Sequence, residues 1–114
     1  ALPTATVELR NEQGEILHDA AIGDGPVDAL CKAIERITGI HAKFDSFLVR
    51  SISKGMEAQA EVLMEIKCQE QRFTGKAVST DTLEAAAQAY LKALNKASVT
   101  LSPGNASAAR IRPV

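Results

Sequence analysis

The sequence predicts an α+β fold made of two related units, and three observations carry that prediction. The segments Ile22–Ile34 and Val78–Tyr90 superpose without a gap, at an offset of 56 positions (22 to 78). Stretches of two-residue alternation precede both segments, as half-buried strands require. Both segments then place apolar residues at three- and four-residue steps, the spacing of amphipathic helices. The order is ββα followed by βββα, an internally duplicated ββ(β)α arrangement. Hairpins and helices in this proportion predict an antiparallel or mixed sheet with two helices packed on one face.

The repeated segments share roles more than letters. Ile22 and Val78 close a strand, and Gly25 and Asp81 fall where a helix N-cap belongs. Pro26 and Thr82 open the helix, where the missing N–H of proline costs nothing. Asp28 and Glu84 follow at the third helical position, near the positive end of the helix dipole. Asp81 with Glu84 approximates a capping box.

Ala5–Arg10 alternates, with Ala5, Val7 and Leu9 on the buried face. Asn11–Gly14 has turn chemistry, and Glu15–Ile22 returns as the second strand of a hairpin. The first helix is expected over Pro26–Thr38, with Val27, Leu30, Cys31, Ile34 and Ile37 as its apolar stripe and Gly39 ending it. Ile40–Ser46 reads as an apolar loop leading to a strand over Phe47–Lys54. From Ala58 the alternation is the cleanest in the chain, with Ala58, Ala60, Val62, Met64, Ile66 and Cys68 on one face. Gln69–Gln71 turns the chain into a strand over Arg72–Val78. A second helix is expected over Thr82–Ala97, its alanines allowing close approach to its backbone.

These elements place one domain over residues 1–97, with halves at about 4–39 and 42–97, and a flexible tail over 98–114. Leu17, Leu48 and Leu63 are candidates for the opposite sheet face, so either the two halves fold against each other or a second chain covers it, and a homodimer is the favoured expectation. With 4% aromatics and no tryptophan, the core falls to Ala, Val, Ile and Leu. A net charge of −1 gives no electrostatic reason to expect nucleic acid or an anionic membrane as partner. No apolar run reaches the ~18–20 residues that cross a bilayer. Cys31 and Cys68 lie in apolar-patterned segments, read as reduced thiols in a cytoplasmic setting.

No catalytic constellation assembles. His18 and His41 lack metal-ligand spacing, and no nucleophile has a base and an orienting carboxylate. Gly23-Asp24-Gly25-Pro26 admits two readings. One is only a sharp strand-to-helix turn. The other is a ligand seat, since free N–H groups at a helix start attract a carboxylate and glycines let it come close.

The run Gly23–Ala29 resembles the signature that opens the C-terminal regulatory domain of 2-isopropylmalate synthase. Gly55–Val62 is similar to that family's G-x-x-AQA-x-V strand, and Thr80–Ala85 with Ala89–Asn95 is similar to its closing helix. The resemblance covers Thr4 to Lys96. It implies a dimeric feedback sensor of leucine biosynthesis that binds L-leucine, or another branched-chain amino acid, near the dimer interface. It implies no cofactor in this domain. The parent enzyme's divalent metal and acetyl-CoA belong to a separate catalytic barrel in the same polypeptide, so the domain by itself is not an enzyme. Carried over by position, the leucine site would draw on Gly23, Asp24, Gly25, Pro26, Val27 and Asp28. Phe44, Phe47, Ser51 and Ala58 would line a side-chain pocket, and Val78 would supply a pseudo-symmetric wall. Two departures stand out: Thr74–Ala77 replaces a frequent G-x-G, and Asp28 stands where the family often has a small or apolar residue. An isoleucine sensor of the citramalate synthase type and a purely structural dimerisation module are the alternatives.

Overall fold

In the computed structural model, which describes residues 2–55, 57–101 and 112–113, the elements are β1 (Thr4–Arg10), β2 (Ile16–Ile22), α1 (Pro26–Thr38), β3 (Lys43–Lys54), β4 (Glu57–Cys68), β5 (Gln71–Ser79), α2 (Thr82–Leu101) and β6 (Arg112–Pro113). All strand pairing is antiparallel, but the strands divide between two three-stranded sheets, ordered β2-β1-β6 and β3-β4-β5. The expected single sheet is thus two, because alternation identifies a strand without identifying its neighbour. α1 packs on β2 and β1, α2 packs on β5 and β4, and the helices touch each other.

The duplication extends to strand register. Thr4 pairs with Ile22 and Glu61 with Val78, so β2 maps onto β5 at 56 positions while β1 maps onto β4 at 57 (4 to 61). Between equivalent paired positions the second hairpin has one residue fewer, 68–71 between Lys67 and Arg72 against 11–15 between Arg10 and Ile16, which absorbs the difference. In the first turn the Asn11 Oδ1 accepts from the Glu15 N–H and Gly14 takes φ +83°. In the second, Gln69 and Glu70 both take positive φ (50° and 69°), the geometry of a two-residue hairpin loop. β6 pairs with Leu9–Arg10 on the first sheet, the place β3 holds on the second.

α1 spans the expected residues and ends at Gly39, whose N–H donates to the Glu35 carbonyl. β3 begins four residues before the expected Phe47. A bulge between Phe44 and Ser46 inserts Asp45, and that extra residue breaks the two-residue period. α2 continues four residues past the expected Ala97, with Ser98 and Leu101 half-buried. Of the tail expected over 98–114, residues 98–101 therefore belong to α2 and Arg112–Pro113 to β6. The remaining positions lie outside the described residues.

One core joins both units: Val7, Leu9, Ile34, Val62, Met64, Ile66, Tyr90, Leu91 and Leu94, with alanines 33, 77, 85, 86, 89 and 93. The alanines let α2 lie against β5, where a Cβ added to Gly75 would come within 1.8 Å of the Ala89 carbonyl oxygen. The Lys92 and Lys96 ammonium groups then reach the carbonyls of Lys76 and Thr74, at 3.0 and 2.7 Å, occupying acceptors on the outer strand β5.

Candidate functional site

The two helix starts solve the same capping problem differently. At α2 the Asp81 Oδ1 accepts from the Leu83 and Glu84 N–H groups, while the Glu84 carboxylate accepts from Gln88. The expected capping box is therefore only half formed. At α1 the N-cap is Gly25, with no side chain to accept anything. There Asp28 reaches back, its Oδ2 accepting from the Asp24 N–H at 2.8 Å and pairing with the Lys32 ammonium at 3.0 Å. Those contacts, the Asp24 N–H first and Lys32 second, hold the Asp28 carboxyl below the usual carboxylate range.

This arrangement fills the inside of the Gly23–Pro26 bend with the chain's own atoms. A Cβ on Gly23 would meet the Ala29 nitrogen at 2.3 Å and Asp28 Oδ2 at 2.7 Å. The Gly23 N–H is spent on the Pro3 carbonyl. Gly25 differs, because a Cβ there would meet nothing within 4 Å. The first intrahelical bond runs from the Ala29 N–H to the Gly25 carbonyl. The N–H groups of Val27 and Asp28 precede that bond and point out of the helix start.

Beside this helix start lies a cavity of about 260 Å³ lined by Val27, Asp28, Cys31, Phe44 and Phe47. The bulge in β3 explains its aromatic wall. Phe44 pairs with Ile66 and Phe47 with Met64, so both rings stand on one face although they are three residues apart. Their centroids are 6.3 Å apart. Among the described residues neither helix packs along β3, which leaves the gap between α1 and β3 open. Burial, reinforced by the carboxylates of Asp28 and Glu35, pushes the Cys31 thiol up to about 12, so it stays neutral. The cavity thus offers a neutral, largely apolar slot with one carboxylate and free helix N–H groups at its rim.

Four of the expected site residues, Val27, Asp28, Phe44 and Phe47, meet in this slot, and Gly23–Pro26 form the bend beside it. Ser51 and Ala58 are exposed on the same face of the second sheet as Phe47, but toward the β3–β4 hairpin. Ser51 lies four positions from Phe47, about 13 Å along the strand. Val78 pairs with Glu61 and stands on the opposite sheet face. Cys31 was missed as a lining residue. It sits four positions after Val27 and so shares its side of α1, but the same spacing places it in the core stripe.

A larger open groove of about 550 Å³ runs along Ala20, Ala21, Ile22, Lys32, Glu35, Arg36 and His41. Each of its basic groups already faces an acid: Lys32 with Asp28, Arg36 with Asp19 and His41 with Glu35. Both cysteines are free thiols. Among the described residues no three His, Cys, Asp or Glu side chains gather as a metal site, and no helix is long and apolar enough to cross a membrane.

The profile of the LeuA allosteric (dimerisation) domain matches residues 1–98. The chain belongs to this family. Within it, the chain is 46% identical over 101 residues to a 2-isopropylmalate synthase of Microcystis aeruginosa, covering 89% of this chain and 19% of that protein. It is 47% identical over 96 residues to the 2-isopropylmalate synthase of Nostoc sp., covering 84% of this chain and 18% of that protein. To that of Pelotomaculum thermopropionicum it is 42% identical over 96 residues, covering 83% and 19%. The chain thus spans about a fifth of the length of these relatives, as one LeuA allosteric domain.

Proposed function

We propose that this domain is the feedback sensor of a 2-isopropylmalate synthase, binding L-leucine in the slot between α1 and β3 to inhibit the first committed step of leucine biosynthesis. The single observation that carries the reading is the slot itself: an apolar cavity of about 260 Å³ with helix N–H groups and a carboxylate at its rim. The isobutyl group would enter between Phe44, Phe47 and Val27. The effector's carboxylate would meet the Val27 and Asp28 N–H groups, over the open space in front of Gly25, and its ammonium would pair with the Asp28 carboxylate. Affinity in the micromolar range needs ~8 kcal/mol. Burying the side chain contributes ~2–3 kcal/mol, so the rim contacts must supply the remainder.

The domain would act as a homodimer, tied to a catalytic domain of the same polypeptide that holds the divalent metal and acetyl-CoA. Ser51 and Ala58 fit a contribution from the partner subunit, because they share the face of Phe47 and are exposed within one chain. For the coupling to be allosteric, leucine must favour one of two arrangements of the dimer.

One observation favours a second reading, a dimerising module without effector. Asp28 already occupies the bend and its Asp24 N–H, so that part of the seat is taken. Calorimetric titration of the dimer with leucine, isoleucine and valine separates the readings. Saturable leucine binding that weakens in Phe47→Ala supports the sensor. A stable dimer that binds none of the three supports the structural module, and an isoleucine preference would place the domain with the citramalate synthase sensors.

A further inference from the structure

We propose that Cys31 sets which branched side chain the slot accepts; this rests on the effector reading above and names its selectivity. Of the five lining residues, Cys31 alone is fully buried, at 8% exposure, whereas Phe44 is 45% exposed and Val27, Asp28 and Phe47 are half-buried. Cys31 therefore forms the closed end, one helical turn below Val27 and Asp28. The walls offer less latitude, because pairing to β4 sets where Phe44 and Phe47 stand on the strand and Val27 and Asp28 belong to the helix start.

Where a side chain branches decides which part of the slot it fills. Leucine branches at Cγ and is widest at depth, against position 31. Valine and isoleucine branch at Cβ and are widest at the mouth, between Val27 and the rings. A small, neutral residue at the floor leaves room for the deep branch. The duplication gives position 31 a counterpart in Ala87, half-buried against the core, so the fold accommodates a methyl group at this place.

The test is calorimetric titration of the full chain, as wild type, Cys31→Ala and Cys31→Val, with leucine, isoleucine, valine and methionine. Circular dichroism and melting temperature establish that each variant folds. Cys31→Val is expected to weaken leucine by about tenfold or more relative to valine, the scale of one methylene in an apolar pocket. Cys31→Ala, which carries no risk of overfilling the core, is expected to shift the ratio of methionine to leucine affinity toward methionine by about tenfold. Folded variants that keep the wild-type ranking within about threefold would overturn the assignment while leaving the effector reading intact. A wild-type chain that binds none of the four would instead overturn the effector reading, and this inference with it.

Discussion

Two glycines with opposite surroundings differ in what an added side chain would disturb. Gly75 has α2 directly on it, so Gly75→Ala should lower stability by about 3 kcal/mol, the upper end for overfilling a packed site. For a domain of this size that is a fall in melting temperature of roughly 10 °C or more. Gly25 faces open space with an extended φ of −153°, so Gly25→Ala should change melting by only a few degrees. The same variant should weaken leucine binding, because the added methyl stands where the effector's carboxylate would approach. Asp28 adds a pH dependence. Its folded pKa lies below the unfolded value of about 3.9, so its stabilising contribution is complete above that value. It is lost as pH falls through the depressed folded pKa. Melting curves between pH 2 and 6 should therefore show a smaller acid loss in Asp28→Asn than in wild type.

Among the elements, those with an unbroken period were legible in the sequence. β4 shows its inward face at Val62, Met64, Ile66 and Cys68 as the alternation requires, and α1 lies between its expected Pro26 and Gly39 signals. The start of β3 was not legible, because the extra Asp45 puts Phe44 and Phe47 three residues apart on one face, a spacing that reads as loop or helix. The last turn of α2 was hidden by Ser98, Val99 and Thr100, which have modest helix propensity but ride on the buried Ala97. The β4–β5 turn carries a testable cost. Gln69 and Glu70 hold left-handed conformations that cost an ordinary residue about 1–2 kcal/mol each, so replacing the pair with Asn-Gly should raise stability by about 1 kcal/mol, the relief of strain outweighing the extra freedom of glycine in the unfolded chain. Chemical denaturation would read this as a higher midpoint at unchanged slope.

At the scale of the whole molecule, the duplicated units share one core, yet among the described residues neither helix packs along β3. Its Leu48 and Val49 are 61% and 43% exposed, on opposite faces. Val49 shares the face of Phe47 next to the slot, so a partner subunit seated there would complete both the core and the site. Val49→Asp should accordingly shift the dimer toward monomer in sedimentation equilibrium and weaken leucine binding at the same protein concentration. The lining of the candidate slot was legible in part: motif resemblance selected Val27, Asp28, Phe44 and Phe47, which line one cavity. It did not reveal that Asp28 turns back into its own bend, a local choice among rotamers and partners, nor that Cys31 lines the cavity, which depends on how α1 lies beside a strand of the other unit. The most direct measurement is amide and methyl chemical-shift mapping of the labelled domain during titration with leucine. The account predicts saturable shifts concentrated at Gly25–Asp28, Cys31, Phe44 and Phe47. Shifts centred instead on the Ala20–Ile22, Arg36 and His41 groove, or no saturable shift at all, would contradict it.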